Sequence, residues 1–318
     1  MLSPEMHATE VGLEWDAAAC ATRKAAGHRT IRTDIAAYPT EPFTGAVGLI
    51  ASPPCQDFSQ AGNHAGIEGE RGQLITQVLR WAEALMPEWI VCEQVPPALP
   101  VWHQYAQHLR GLGYSAWAGV LNAADYGVPQ TRRRAFLIAS RVRNVLPPEP
   151  THSKNPQPSL FGELEPWVTM AEALGCPEGF IGFPRRDEED PTGYRRRDVR
   201  ATDEPAKTLT SKVRSWMLNP GATGSDRPNL NRRWYAADEA APTVAFGHDS
   251  AGWWWHVGPE QVRITTVDAL VLQSFPANYS VSGSKTKQFE QIGNAVPPQL
   301  AAHVLAAATG TTYTGEPQ

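Results

Sequence analysis

Short apolar runs alternate with amphipathic stretches over roughly the first 140 residues of the chain. The apolar runs cover Val11–Leu13, Thr30–Ile35, Gly45–Ser52, Trp89–Cys92 and Ala135–Ser140. Their length and their bounding polar residues are typical of buried strands. We therefore predict a strand in each of these runs.

Three stretches between these strands have the apolar spacing of helices, namely Ala17–Ala26, Leu74–Leu85 and Trp102–Leu112. Gly27 and Gly113 stand directly after two of them, where a glycine commonly ends a helix. Strands that alternate with helices predict an α/β fold built from parallel βαβ units.

The pattern changes near Pro147. From there to about Trp255 the chain is rich in Pro, Gly, Arg and Trp, and the α/β alternation stops. The stretch 201–209 is echoed at 236–244, which fits a duplicated strand hairpin. We predict a catalytic α/β domain over 1–148 and 263–318 and a smaller, irregular, β-rich domain over 149–262.

Composition narrows the function classes. The 318 residues are 42% hydrophobic with a net charge of −5, as expected for a soluble globular protein, and a local basic face would still allow nucleic-acid binding. The four cysteines form no CxxC pair, so we expect reduced thiols and no metal site. Neither a signal peptide nor a membrane span is expected, and the prediction is a cytoplasmic protein.

Acidic or reactive residues recur where the predicted strands end: Glu14, Asp34, Cys55 and Glu93. Ligands of open α/β sheets bind at the carboxyl ends of the strands. This recurrence predicts one site at that edge of the sheet. The alternative is four unrelated loop residues.

Cys55 follows Pro53 and Pro54, and proline cannot continue a central strand. The thiol is therefore expected on a stiff turn at a strand end, as a candidate nucleophile. Arg132 and Arg134 would point to one side of an extended segment and could supply a positive field. The alternative is a solvated basic edge.

Glu93 ends a buried apolar strand, where a partly desolvated carboxyl group can donate a proton. A helix-capping or ion-paired glutamate is the alternative. Glu14 and Asp34 suit the hydroxyl groups and amine of a nucleoside. Trp15 could stack on a base, or it could be a core aromatic residue.

Six motifs in this order resemble the DNA (cytosine-5)-methyltransferase family over about residues 11–143 and 263–318. They are Pro54-Cys55-Gln56 with Phe58-Ser59, Arg71-Gly72-Gln73-Leu74, Glu93-Gln94-Val95, Tyr126-Gly127-Val128-Pro129-Gln130-Thr131-Arg132-Arg133-Arg134, Leu272-Gln273-Ser274-Phe275-Pro276 and Gln291-Ile292-Gly293-Asn294-Ala295-Val296-Pro297-Pro298.

The resemblance implies a Rossmann-like domain with a mostly parallel sheet that binds S-adenosylmethionine, and a smaller target-recognition domain. It implies that Cys55 attacks carbon 6 of a cytosine flipped out of double-stranded DNA. Glu93 would act on ring nitrogen 3, and Arg134 with Arg132 would hold the carbonyl oxygen of the base. Methyl transfer to carbon 5 then follows.

The resemblance also assigns binding residues. The cofactor residues would be Glu14, Trp15, Asp34, Ile35, Leu74, Asn294 and Ala295. The candidate DNA contacts are Gln56 and Ser59 with the basic residues Arg195, Arg196, Arg197, Lys212, Arg214, Arg232 and Arg233. A cognate restriction endonuclease is a candidate partner.

The chain departs from the family pattern in two places. Gln94 stands where the family usually has asparagine, and the Phe-x-Gly-x-Gly loop expected before Val11 is not found. We expect either a start assigned too late or a natural truncation that impairs cofactor binding. The alternative functions are therefore a methyltransferase-derived DNA-binding protein and, on weaker grounds, a cysteine-dependent enzyme of free pyrimidine nucleotides.

Overall fold

The computed structural model describes residues 10–55, 58, 69, 72–156, 164–175 and 264–313. Between 179 and 263 it describes Pro205, Ala206 and the backbone of several short strands. The contacts divide the chain into two compact units. The first comprises 1–122, 133–149 and 301–318, and the second comprises 123–132 and 150–300.

The described helices, in chain order, are α1 (Ala17–Ala25), α2 (Gln77–Leu85), α3 (Leu99–Gly111), α4 (Met170–Leu174), α5 (Thr266–Leu272), α6 (Lys285–Asn294) and α7 (Pro298–Thr309). The described strands are β1 (Val11–Glu14), β2 (Arg29–Arg32), β3 (Gly48–Ala51), β4 (Trp89–Gln94), β5 (Ser115–Asn122), β6 (Gln130–Thr131), β7 (Arg133–Ser140), β8 (His152–Ser153), β9 (Glu165–Pro166), β10 (Gly179–Gly182), β11 (Pro184–Arg186), β12 (Tyr194–Arg196), β13 (Arg200–Ala201), β14 (Ala206–Lys207), β15 (Met217–Pro220), β16 (Tyr235–Ala236) and β17 (Val262–Arg263).

The first unit contains a four-stranded sheet in the order β3-β4-β7-β5 and a two-stranded sheet, β1-β2. Strands β1 and β2 pair in parallel, as do β3 and β4, whereas β7 runs antiparallel to both β4 and β5. The α/β class is confirmed. The two-stranded sheet is parallel, whereas the four-stranded sheet is mixed, with β7 antiparallel to both of its neighbours.

The core of the first unit lies between its four-stranded sheet and helices α2 and α3. Ile90 and Cys92 of β4 are fully buried, as is Trp102 of α3, whose indole N–H donates to the Ala135 carbonyl of β7. Burial of large apolar side chains of this kind stabilises a fold by about 1.5–3 kcal/mol each. This packing fixes the end of β4, where Glu93 and Gln94 lie.

The predicted helix ends are confirmed at two glycines. Gly27 follows α1 with φ +86° and Gly113 follows α3 with φ +89°, a region that disfavours residues with a Cβ atom. At the other end of α1, the Asp16 carboxylate accepts from the backbone N–H groups of Ala18 and Ala19.

The second unit has a five-stranded sheet in the order β16-β13-β10-β15-β17 and a separate helical core. Helices α4, α5 and α6 contribute Met170, Leu270, Phe289 and Ile292 to that core. The compact units differ from the predicted domains, because 123–132 and 263–300 belong to the second unit. The division into catalytic and target-recognition domains stays a prediction.

Among the described residues, the longest and most apolar helices still fall short of what a membrane span requires.

Candidate active site

The loop that carries Cys55 leaves the sheet at the carboxyl end of β3. Ala51, the last residue of β3, lies opposite Cys92 of β4, and residues 52–55 have no regular structure. Cys55 is partly buried, and its carbonyl accepts from the N–H of Phe58. The structure thus places the thiol where the two prolines predict it, beyond the end of a strand.

Glu93 lies one strand away and is paired with an arginine. Arg134 Nε lies 2.9 Å from Glu93 Oε1, and the two side chains are 12% and 10% exposed. The antiparallel register of β4 and β7 produces this contact, because Glu93 lies opposite Phe136 and Gln94 opposite Ala135. The predicted alternation is confirmed in burial, since Arg133 is exposed and Arg134 is not.

Arg134 also acts electrostatically on Cys55. Burial lowers the pKa of Arg134, whereas the nearby Glu93 and Cys55 raise it. The interaction is mutual, so a buried guanidinium favours the thiolate form of the cysteine. Cys55, Glu93 and Arg134 therefore form one cluster of a thiol, a carboxyl group and a cation near the ends of adjacent strands.

Gln94 ties β4 to the cysteine loop. Its Nε2 donates to the carbonyls of Pro53 at 2.9 Å and Pro54 at 3.2 Å, and its Oε1 accepts from the N–H of Val95 at 2.8 Å. Gln94 is 1% exposed, so its amide group relies on these three partners and not on solvent. The glutamine that departs from the family pattern keeps the connection between strand and loop.

Replacement of Gln94 tests this connection. Gln94→Ala removes the donor to the two partly buried proline carbonyls, and we expect kcat to fall about tenfold with a stability loss of about 1 kcal/mol. The kcat and the stability of Gln94→Asn should lie between those of Gln94→Ala and those of the wild type. The measurements are kcat and thermal unfolding, with Gln288→Ala as control, since Gln288 donates to the Gly283 carbonyl in an exposed position. An unchanged kcat in Gln94→Ala would contradict the positioning role.

The other described cysteines are unsuited to nucleophilic attack. Cys20 and Cys92 are buried, and burial raises the pKa of both thiols. Burial therefore disfavours their thiolate forms and leaves Cys55 as the most accessible of the described thiols.

Arg132 belongs to the second unit and is fully buried there. Its Nη1 donates to the Gly293 carbonyl at 2.9 Å. Gln130 and Gln273 are buried beside it, with Gln130 Nε2 3.1 Å from Gln273 Oε1 and Gln273 Nε2 donating to the Ile292 carbonyl. The predicted catalytic role of Arg132 stays a prediction. The structural roles of the two glutamines were not predicted, although both stand in the quoted motifs.

The predicted nucleoside residues lie at the carboxyl ends of two paired strands. Glu14 is the last residue of β1. Its carbonyl accepts from the N–H of Thr33, which follows β2, so Asp34 lies at the same edge of the sheet. Glu14 Oε1 accepts from the N–H of Asp16. Trp15 is 69% exposed, so the core alternative for this residue is wrong and its ring is available to a ligand.

Ile35 and Leu74 are partly buried in the first unit, in the segment after β2 and just before α2. Asn294 ends α6 in an exposed position in the second unit, and Ala295 is its C-terminal cap. The cofactor roles of these four residues stay predictions.

The predicted DNA contacts fall largely outside the described residues. Arg195 and Arg196 lie on β12, where the structure gives the backbone. Gln56 and Ser59 lie outside, as do Arg197, Lys212, Arg214, Arg232 and Arg233. Within the described part of the chain, no group of His, Cys, Asp and Glu side chains is arranged to hold a metal ion.

The sequence profile of the family described as C-5 cytosine-specific DNA methylase matches residues 5–309. The chain belongs to this family. The resemblance drawn from the six motifs is confirmed by a match that also spans the region between them.

Curated relatives of this methylase are named type II methyltransferases. M.NgoPII of Neisseria gonorrhoeae is 29% identical over 92% of this chain and 86% of its own length. M.NgoFVII of the same organism is 29% identical over 79% of this chain, which spans 66% of that relative. For M.XorII of Xanthomonas oryzae the identity is 30%, over 80% of this chain and 65% of the relative.

Solved structures support the fold. The Entamoeba histolytica methyltransferase EhMeth matches with a TM-score of 0.59 at 13% identity, covering 94% of this chain and 89% of that chain. A putative DNA modification methyltransferase from an Escherichia coli prophage matches with a TM-score of 0.55 at 19% identity. The match covers 95% of this chain and 92% of that chain. At these identities the likeness concerns the fold alone.

Proposed function

We propose that this methylase transfers a methyl group from S-adenosylmethionine to carbon 5 of a cytosine in double-stranded DNA through a covalent adduct of Cys55. The observation that carries the proposal is the cluster of Cys55, Glu93 and Arg134 in a member of the C-5 cytosine-specific family. The cluster combines a nucleophile with a carboxyl group and a cation in a mostly buried setting.

Carbon 5 of cytosine is a weak nucleophile, and the proposed adduct activates it. The Cys55 thiolate forms a bond to carbon 6, the electron pair of the 5,6 double bond becomes a 4,5 double bond, and the pair of the 3,4 double bond moves onto nitrogen 3, which takes a proton from Glu93. Carbon 5 then accepts the methyl group as its bond to the sulfonium sulfur breaks, which leaves S-adenosylhomocysteine, and a base removes the proton of carbon 5. The double bond re-forms, and the Cys55 thiolate leaves as nitrogen 3 returns its proton.

Arg134 supports two of these requirements. The ion pair between Arg134 Nε and Glu93 Oε1 orients the Glu93 carboxyl group, and the charge of Arg134 favours a thiolate at Cys55. A guanidinium also donates several N–H groups in a plane, which suits the carbonyl oxygen of the base.

The residues at the ends of β1 and β2 fit S-adenosylmethionine, which supplies an electrophilic methyl group when bound. Glu14 and Asp34 offer carboxylates at one sheet edge, and Trp15 offers an exposed aromatic ring. Carboxylates suit ribose hydroxyl groups and an adenine amine, and a ring suits the base. We propose that these three residues hold the adenosine part.

The reacting atoms of cytosine are inaccessible within a duplex, so the target base must leave the stack at a cost of a few kcal/mol. Arginines and lysines of the 149–262 region are the proposed contacts to phosphates and base edges. They include the β12 residues Arg195 and Arg196.

Methyl transfer from radiolabelled S-adenosylmethionine to duplex DNA tests the proposal, and bisulfite sequencing locates the product. We expect label at carbon 5 of cytosines in a defined sequence context. DNA binding with neither cofactor binding nor methylation would favour the DNA-binding alternative. Reaction with free nucleotides in place of duplex DNA would favour the nucleotide enzyme.

A further inference from the structure

Arg80 connects helix α2 to the segment that follows β2. Its Nη2 donates to the Ile35 carbonyl at 2.5 Å, and its Nη1 donates to the Tyr38 carbonyl at 3.1 Å. Its Nε donates to the Gln77 side chain at 2.6 Å, one turn earlier on α2. One guanidinium therefore bonds two carbonyls of residues 35–38 while its own helix holds it in place.

Aromatic packing reinforces this connection. The Arg80 guanidinium carbon lies 5.4 Å from the centre of the Trp81 ring, and Trp81 is 5% exposed. Phe43 meets Trp81 edge-on at 5.4 Å and Tyr38 at 6.2 Å. The segment after β2 is thus attached to α2 through both hydrogen bonds and rings.

The attached segment holds a residue proposed to bind the adenine. The Asp34 carbonyl accepts from the N–H groups of Ala37 and Tyr38, and its side chain accepts from the N–H of Ala36. Tyr38, whose N–H closes the turn that starts at Asp34, is also one of the residues whose carbonyl accepts from Arg80. Leu74, another proposed cofactor residue, lies six positions before Arg80 in the sequence.

We propose that Arg80 is a positioning residue for the adenosine pocket. Its side chain holds Asp34 and Ile35 against α2, so that both residues are ordered before S-adenosylmethionine binds. This inference rests on the proposed function, since it concerns the same cofactor site. A preorganised pocket binds more tightly because the ligand does not have to order it. The role is local to the cofactor and leaves Cys55, Glu93 and the DNA contacts unchanged.

The test compares Arg80→Ala, Arg80→Lys and the wild-type chain by calorimetry with S-adenosylmethionine and S-adenosylhomocysteine. We expect Kd for both compounds to rise about tenfold in Arg80→Ala and less in Arg80→Lys, whose ammonium group retains one carbonyl contact. KM for the cofactor should rise in parallel, whereas kcat at saturating cofactor and KM for DNA stay within about twofold.

Arg110→Ala is the matched control, because Arg110 also donates to a backbone carbonyl of the first unit, that of Ala116. It should leave both Kd values unchanged. Asp34→Ala combined with Arg80→Ala should weaken binding by less than the product of the single effects, since both changes act on one turn. Hydrogen exchange of the amides at 35–38 should accelerate in Arg80→Ala.

Three outcomes would overturn the inference. An Arg80→Ala variant with a lower Tm and an unchanged cofactor Kd would show a structural contact alone. An equal rise in KM for DNA would show a general disturbance of the fold. A wild-type chain that binds neither compound would overturn the proposed function together with this inference, which separates that failure from the other two.

Discussion

Replacement of Cys55 by serine is expected to lower methyl transfer by about 10⁴-fold or more, with cofactor binding unchanged. A serine hydroxyl is almost entirely protonated at neutral pH, whereas a cysteine is a few per cent thiolate and intrinsically more nucleophilic. The positive charge of Arg134 interacts electrostatically with Cys55 and would attract a thiolate there, whereas a neutral hydroxyl gains nothing from the same charge. The substitution is nearly isosteric, so the loop from Ser52 to Cys55 should keep its conformation.

Duplex DNA with 5-fluorocytosine at the target separates attack by Cys55 from the other steps. Fluorine at carbon 5 cannot leave as a proton, so the adduct should persist and migrate as a protein–DNA complex in a denaturing gel. Wild type should give this complex and Cys55→Ser should not. Cys20→Ser is the control, because Cys20 is buried and burial raises its pKa. A persistent complex in Cys55→Ser, or its loss in Cys20→Ser, would contradict the assignment.

The position of Cys55 could be predicted because local rules determine it. Pro54 cannot continue a strand, and β3 does end before it, at Ala51. The same holds for Glu93, which follows a continuous apolar run that becomes the buried strand β4. Strand ends and turns of this kind depend on residues that are close in sequence.

Strand β5 was not predicted, and long-range pairing explains why. Its centre contains Ala118 and Gly119, which have low strand propensity. All eight residues nevertheless pair with β7, from Ser115 opposite Ser140 to Asn122 opposite Arg133. A partner strand from elsewhere in the chain decides the conformation here, and local preference does not reveal it.

The observed ends of two elements differ from the predicted ends. Local hydrogen bonds there compete with the regular backbone pattern. The strand predicted to reach Ile35 ends at Arg32, because the Asp34 side chain accepts from the N–H of Ala36 and starts a turn. The helix predicted from Leu74 begins as a 3₁₀ segment over Gly72–Thr76 before α2. The contacts of Arg80 with the Ile35 and Tyr38 carbonyls depend on the turn that starts at Asp34, and apolar periodicity alone does not indicate that turn.

The contact between Glu93 and Arg134 likewise depends on the antiparallel register of β4 and β7. Sequence reasoning placed the two residues in one site through the family resemblance. The register explains how they meet, because β7 begins at Arg133 and brings Arg134 to the end of β4. Strand direction and register are tertiary properties, and they supply the geometry that the motifs leave open.

Glu93→Gln is expected to lower kcat by about 10²- to 10⁴-fold, since it removes the proposed proton donor to nitrogen 3. It also leaves the Arg134 guanidinium, whose side chain is 12% exposed, without its carboxylate partner. Breaking a buried ion pair on one side costs about 3–5 kcal/mol, and the residual exposure of this pair places the expected loss at the lower end. Activity and unfolding free energy should therefore fall together.

The double variant Glu93→Gln/Arg134→Ala separates these two effects. Removal of both partners leaves no unpaired charge, so unfolding free energy should recover part of the loss seen in Glu93→Gln. The kcat should not recover, because both the proton donor and the cation beside Cys55 are absent. Arg133→Ala, which removes the exposed neighbouring arginine, is the control and should leave both quantities near wild type. Full additivity of the stability losses would contradict the ion pair, and recovery of kcat would contradict the proton-donor role of Glu93.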